Sequence, residues 1–195
     1  MLPNKHKLTV NKLSCRRGNH CLWQNLEFAV SPGELLQITG ANGSGKTSLL
    51  RILAGLAPPD SGTVHWQGLP IAYLGHQLAV KAELTVQENL RFQMQTTTAN
   101  TRLAALEQMG LTAHLDHFGY QLSQGQKQRL ALARLLINPA LLWILDEPLA
   151  GLDAEMTEKV AVLMTQHVQQ GGLIVFTTHR PLTFTRPVQT VEMPS

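Results

Sequence analysis

An α/β fold with a parallel sheet at its centre is the architecture this chain predicts, on three observations. Leu141–Leu145 and Leu173–Thr177 are uninterrupted apolar runs, short enough for strands and apolar enough to be covered on both faces. Between them, Glu155–Gln169 repeats its apolar residues at helical spacing, which gives the strand-helix-strand order of a parallel crossover. Upstream, Gly40-Ala41-Asn42-Gly43-Ser44-Gly45-Lys46-Thr47 fits G-x-x-x-x-G-K-[ST], a turn that leads from a strand into a helix around a phosphate. With 195 residues, 44% of them hydrophobic, the chain suffices for one core plus a subdomain, and two full domains would be crowded.

From the start of the chain, Leu8-Thr9-Val10 and Leu26–Val30 alternate like half-buried strands, with Arg17-Gly18-Asn19 as turn chemistry between them, so a small antiparallel sheet is expected. Pro32-Gly33 turns the chain into the strand Leu35-Leu36-Gln37-Ile38, and Ser48–Ala54 reads as the helix that leaves the glycine-rich turn. Pro58-Pro59-Asp60-Ser61-Gly62 then breaks the chain before the strands Thr63–Trp66 and Ile71–Leu74. From Thr85 to Asn138 Leu, Ala, Gln and Glu recur at helical spacing, with polar breaks at Gln95–Asn100 and His117–Gln121, which reads as a helical insertion. There is no internal repeat and no low-complexity tract.

The glycine-rich turn carries the first chemistry. Its glycines let several N–H groups converge on a phosphate at the positive end of a helix, and Ser48 continues that first turn. Lys46 brings a mobile cation to the outer phosphates, and the Thr47 hydroxyl suits Mg2+, so a nucleoside triphosphate is the expected ligand. The apolar run before residue 146 ends in Asp146-Glu147, placing two carboxylates at the carboxyl edge of a buried strand, where such sheets bind their ligands. Asp146 is then expected to hold Mg2+ through water, and Glu147 to polarise the attacking water as general base. An acidic pair after a strand otherwise serves as a helix N-terminal charge; the phosphate turn upstream favours the catalytic reading.

A net charge of +3, with no basic stripe or interleaved aromatics, argues against nucleic acid as a partner. Cys15 and Cys21 have no second pair at metal spacing and read as reduced thiols. His114 and His117 are expected on a solvated or packed face and not as metal ligands, and Met94, Met109, Met156 and Met164 as core fillers. Residues 1–7 lack the apolar stretch of an export signal, and no segment approaches the roughly 18 apolar residues of a membrane span. Any membrane association is therefore expected to run through a partner.

Leu122-Ser123-Gln124-Gly125-Gln126-Lys127-Gln128-Arg129-Leu130-Ala131-Leu132-Ala133-Arg134 resembles the signature sequence of the ABC ATPases, LSGGQ-x-(Q/R)-R-x-x-(L/I)-A-R, departing from it at Gln124, where a glycine usually stands. That resemblance runs from about residue 7 to 193. It implies a P-loop NTPase of the ABC type over 7–195, with the small sheet and a RecA-like core over about 7–77 and 139–195, and a helical subdomain over about 78–138. It further implies that Ser123, Gly125 and Gln126 reach the γ-phosphate of ATP held by a second copy in a nucleotide-sandwich dimer. Gln77 resembles the glutamine that touches Mg2+ and the attacking water, Asp153 the acid that braces two subunits, and His179 the histidine that contacts the γ-phosphate. In the family an aromatic residue usually stacks on adenine where this chain has Arg17, so Arg17, or Trp23 as the nearest aromatic, is expected against the base.

Within the family, Val64–Gly68, Tyr73–Gln77 and Thr178–Leu182 resemble the ATPases that power haem delivery in cytochrome c maturation, with a shortened span between Gly68 and Tyr73. The subgroup implies ATP hydrolysis coupled to an integral membrane permease, at the cytoplasmic face of a bacterial inner membrane. The segment Leu78–Phe92 is then the expected permease attachment surface. The alternative is the ATPase of another small exporter. A chromosome-structure ATPase needs a long coiled-coil insertion, and the 44 residues between Gln77 and Leu122 are too few. A translation-factor ATPase would carry two cassettes.

Overall fold

The apolar runs form adjacent parallel strands. In the computed structural model, which describes residues 7–18, 20–66, 68–93 and 97–194, eight strands and five helices follow one another as β1 (Leu8–Arg17), β2 (His20–Val30), β3 (Leu35–Thr39), α1 (Lys46–Leu53), β4 (Ser61–His65), β5 (Ile71–Leu74), α2 (Val86–Gln93), α3 (Ala99–Gln108), α4 (Gln124–Leu136), β6 (Leu142–Asp146), α5 (Ala154–Gln169), β7 (Leu173–Thr177) and β8 (Val188–Glu192). Five strands make a parallel sheet in the order β5-β6-β7-β3-β8, and three make a separate sheet in the order β2-β1-β4. Because β6, β7 and β3 are neighbours, their carboxyl ends lie side by side.

Alternation along the central strands divides the core. Leu36, Ile38, Leu142, Ile144, Leu173 and Val175 face α1 and the antiparallel sheet, packing with Leu49, Leu50, Leu8 and Trp23. Leu35, Trp143, Leu145, Ile174 and Phe176 face the other way, onto Leu130, Ala133, Met156, Val160 and Met164. Met109, Met156 and Met164 are buried in this second layer. Each fully buried Leu or Ile contributes about 1.5–3 kcal/mol, so the two layers hold the sheet rigid beneath the loops at its carboxyl edge.

The antiparallel sheet is longer than expected. β1 and β2 pair over their full lengths but with register shifts between Val10 and Leu13 and again near Cys15, and Lys12 and Asn25 take positive φ. Those bulges interrupt the two-residue period, which is why only three- and five-residue pieces stand out in the sequence. β8 carries no clear pattern because it is a half-exposed edge strand, yet it pairs in register with β3 from Leu35↔Val188 to Thr39↔Glu192. α3 starts inside the expected break at 95–100, since the Thr98 hydroxyl accepts from the Thr101 amide and caps it. Asn19, Gln67 and Met94, and the break at Gln95 and Thr96, lie outside the described residues.

Candidate nucleotide site

Between β3 and α1 the backbone is shaped for an anion. Gly43 has φ +87 and a side chain there would meet nothing within 4 Å, so its peptide faces open space. Gly45 has φ +92, and a Cβ there would stand 2.7 Å from Trp23 Nε1, so both conformation and room demand glycine. No side chain caps α1, which leaves its first-turn amides free to donate to a ligand. The first turn also carries no acid. The Lys46 ammonium donates to the carbonyls of Gly40 (2.8 Å) and Ala41 (3.0 Å), inside the same loop. Ser44 Oγ is buried without a hydrogen-bond partner, an unspent polar group next to those amides.

A cavity of about 300 Å3 joins this loop to the acidic pair, lined by Asn42, Gly43, Gly45, Lys46, Thr47, Ser48, Asp146, Glu147 and His179, with Arg17 and Leu22 at one side. A larger open groove, about 1040 Å3, runs between α5 and residues 180–185, but the phosphate loop lies outside it. Nucleotide chemistry belongs to the smaller cavity, since free amides, a lysine and two carboxylates meet there.

Asp146 ends β6 almost fully buried, and each of its oxygens accepts a hydroxyl: Oδ2 from Thr47 (2.8 Å) and Oδ1 from Thr177 (2.8 Å). A hydroxyl and a carboxylate this close are hard oxygen donors, the set that Mg2+ takes. Glu147 follows at φ +50, a conformation that costs a non-glycine residue of the order of 1 kcal/mol. Its amide donates to Thr177 Oγ1 (3.0 Å), and its Oε2 accepts from the His179 amide (3.2 Å). His179 Nε2 stands 3.4 Å from Glu147 Oε1, an ion-pair distance without hydrogen-bond geometry, so Oε1 is buried without a hydrogen-bond partner. Tyr73 lies close by, half-buried; burial, with the charge of Asp146, pushes its phenol up.

Other sequence-predicted residues stay apart from this cavity. Gln77 is exposed on the loop after β5 and does not line the cavity. Ser123, Gly125 and Gln126 begin α4 outside it. Ser123 caps that helix: its hydroxyl accepts from the Gln126 amide while the Gln126 side chain accepts from the Ser123 amide. Gly125 is required for a reason internal to the chain, because a Cβ there would stand 2.6 Å from the Gly151 carbonyl. Gln124 needs no glycine conformation; it is exposed and its φ is not positive. Asp153 caps α5 through the Met156 amide and pairs with Arg129 at 2.5 Å in the same chain. The Met156 amide, then the Arg129 guanidinium, hold its carboxyl below the usual range.

Trp23 cannot stack on a base. It is 2% exposed, walled in behind Gly45, and its expected role is corrected accordingly. Arg17 is exposed at the cavity and remains available. Arg17→Ala is expected to weaken ATP and GTP alike by a few-fold, the scale of one exposed cation–π contact. Competition of both nucleotides against a fluorescent analogue checks this, and unchanged affinities would take Arg17 out of the site.

Several organising residues had no role assigned to them in the sequence, although Gln128 and Arg134 match the signature pattern. Thr177 is the hydroxyl that links Asp146 to Glu147, and its only mark is a polar residue closing an apolar strand. Gln128 is buried and donates to the Pro148 carbonyl (2.7 Å), tying α4 to the loop after the acidic pair. Arg134 donates to the carbonyls of Leu78 and Ala79, anchoring the segment after Gln77 to the end of α4; burial pulls it down to about 10, still charged at neutral pH.

A phosphate loop, an acidic pair and a histidine gathered at one edge of a parallel sheet make this a P-loop ATPase. The chain belongs to the ABC transporter ATP-binding family, whose model matches residues 23–150. Among similar curated proteins is "Cytochrome c biogenesis ATP-binding export protein CcmA" from Shigella flexneri, 44% identical over 186 residues, with 90% of each chain covered. A putative ABC transporter ATP-binding protein from Pyrococcus furiosus has the same fold, with a TM-score of 0.83 at 22% identity over 96% of this chain and 97% of that one. An ATP-binding cassette solved as a dimer in a post-hydrolysis state with ADP and Pi aligns at a TM-score of 0.77 and 26% identity, covering 89% and 88%. Among the described residues no helix is long and apolar enough to cross a membrane.

Proposed function

We propose that this chain is the ATP-hydrolysing subunit of a membrane transporter that delivers haem for c-type cytochrome assembly, held peripherally on the cytoplasmic face of an inner membrane by its permease. The likeness to a cytochrome c biogenesis ATP-binding export protein along 90% of both chains carries the transport reading. The meeting of Lys46, Asp146, Glu147 and His179 in one cavity carries the chemistry.

ATP phosphates take the first-turn amides of α1, and Lys46 trades two neutral carbonyls for anionic oxygen. Thr47 and Asp146, whose oxygens already meet, would hold Mg2+, which would draw charge from the phosphate oxygens when bound; Gln77, on the exposed loop after β5, is the further ligand proposed. Glu147 accepts a proton from the attacking water, and the His179 amide steadies its carboxylate by donating to Oε2. Ser123, Gly125 and Gln126 stand outside the cavity, which supports a paired arrangement in which one copy's α4 start closes over its twin's nucleotide. Asp153 lies beside that surface.

Co-expression with the haem-exporter permease in cells lacking their own ATPase subunit tests the whole reading. The two are expected to co-purify, and holocytochrome c to return with the wild-type chain but not with Glu147→Gln. Co-purification instead with a permease for another cargo, and no holocytochrome, would assign the chain to a different small exporter.

A further inference from the structure

The buried hydroxyl of Thr177 is in contact with both halves of the acidic pair without lining the cavity. It is 0% exposed at the end of β7, and the parallel register places it directly across from Asp146. Its single proton goes to Asp146 Oδ1 at 2.8 Å, which leaves its lone pairs to accept the Glu147 amide at 3.0 Å. The other carboxylate oxygen of Asp146 is taken by Thr47, so Asp146 is clamped from both sides and cannot rotate without losing a hydroxyl. At Glu147 the chain leaves the strand at φ +50, and the Thr177 oxygen receives the amide that this turn withdraws from extended backbone.

We infer that Thr177 is a positioning residue for ATP hydrolysis, orienting the Asp146 carboxylate and fixing the backbone turn from which the Glu147 side chain meets the attacking water. The inference rests on the proposed roles of Asp146 and Glu147 as magnesium ligand and base. A methyl in place of the hydroxyl leaves Asp146 Oδ1 and the Glu147 amide without a partner in a buried place. Those two losses act on the chemical step, because the phosphate-binding amides and Lys46 are on β3–α1 and are untouched.

Thr177→Val keeps the shape and removes the hydroxyl; Thr177→Ser keeps the hydroxyl. Valine is expected to lower kcat for ATP about ten- to a hundredfold, the scale of lost hydrogen bonds to a charged group, with KM for ATP moved less than about threefold. Serine is expected to restore kcat to within about threefold of wild type, since it supplies the same donor and acceptor. Should valine spoil the fold, judged by its melting curve and nucleotide affinity, Thr177→Cys takes its place with a much weaker donor, and the same loss of kcat is expected. Glu147→Gln runs beside them. If it is inactive while valine or cysteine turns over like wild type, Thr177 has no positioning role; if it is itself fully active, the reading of Glu147 fails instead. A valine effect confined to KM, or serine as impaired as valine, equally overturns the inference.

Discussion

Glu147→Gln is expected to bind ATP as tightly as wild type and to hydrolyse it about a hundred- to ten-thousandfold more slowly, the usual contribution of a positioned general base. The amide is nearly the shape of the carboxylate, and its carbonyl oxygen still accepts from the His179 amide, as Oε2 does at 3.2 Å. What is lost is a second carboxylate oxygen, Oε1, which is buried without a hydrogen-bond partner and stands 3.4 Å from His179 Nε2. An amide nitrogen in that place donates where a base must accept. In the proposed paired arrangement ATP stays between the two copies once hydrolysis stops, so size-exclusion chromatography with ATP and Mg2+ is expected to give a stable dimer for the variant and mainly monomer for wild type. Wild-type turnover in Glu147→Gln would remove the general-base role.

The parts of this site that lie in contiguous sequence were legible, and those that depend on pairing between distant strands were not. The loop at residues 40–47 and the pair Asp146-Glu147 declare themselves because their chemistry needs fixed neighbours along the chain. Thr177 is thirty residues from Glu147 and meets it only through the β6–β7 register. Arg129 and Asp153 likewise meet only after α4 and α5 pack on the same face of the sheet. In the fold, the buried central strands were plain from unbroken apolar runs, whereas β8 was hidden by its polar, half-exposed composition at the sheet edge. Trp23 shows the converse error: an aromatic near the site in sequence is spent on walling the back of Gly45.

Ser123→Arg is expected to leave nucleotide binding by the single chain within about twofold of wild type and to abolish turnover, because the arginine occupies the surface that the proposed pairing shares between two copies. Ser123 is exposed and lies outside the cavity that holds Lys46, so its replacement removes nothing that one chain uses to grip ATP. Its intrachain duty is the α4 cap, accepting from the Gln126 amide at 3.2 Å, and losing such a cap costs about 1 kcal/mol. That is a small penalty for a helix whose Leu130, Ala131 and Ala133 are buried in the core, so the fold is expected to survive. Ser123→Asn separates the two duties, since asparagine caps as well as serine but puts an amide where the hydroxyl would face a phosphate. If capping alone mattered, asparagine would behave as wild type; if the hydroxyl reaches the twin's nucleotide, asparagine keeps the melting temperature and loses turnover. In wild type, turnover per chain is expected to rise with protein concentration until pairing saturates, and in Ser123→Arg to stay flat at background. Concentration-independent, wild-type turnover by the arginine variant would mean that one copy completes the site alone.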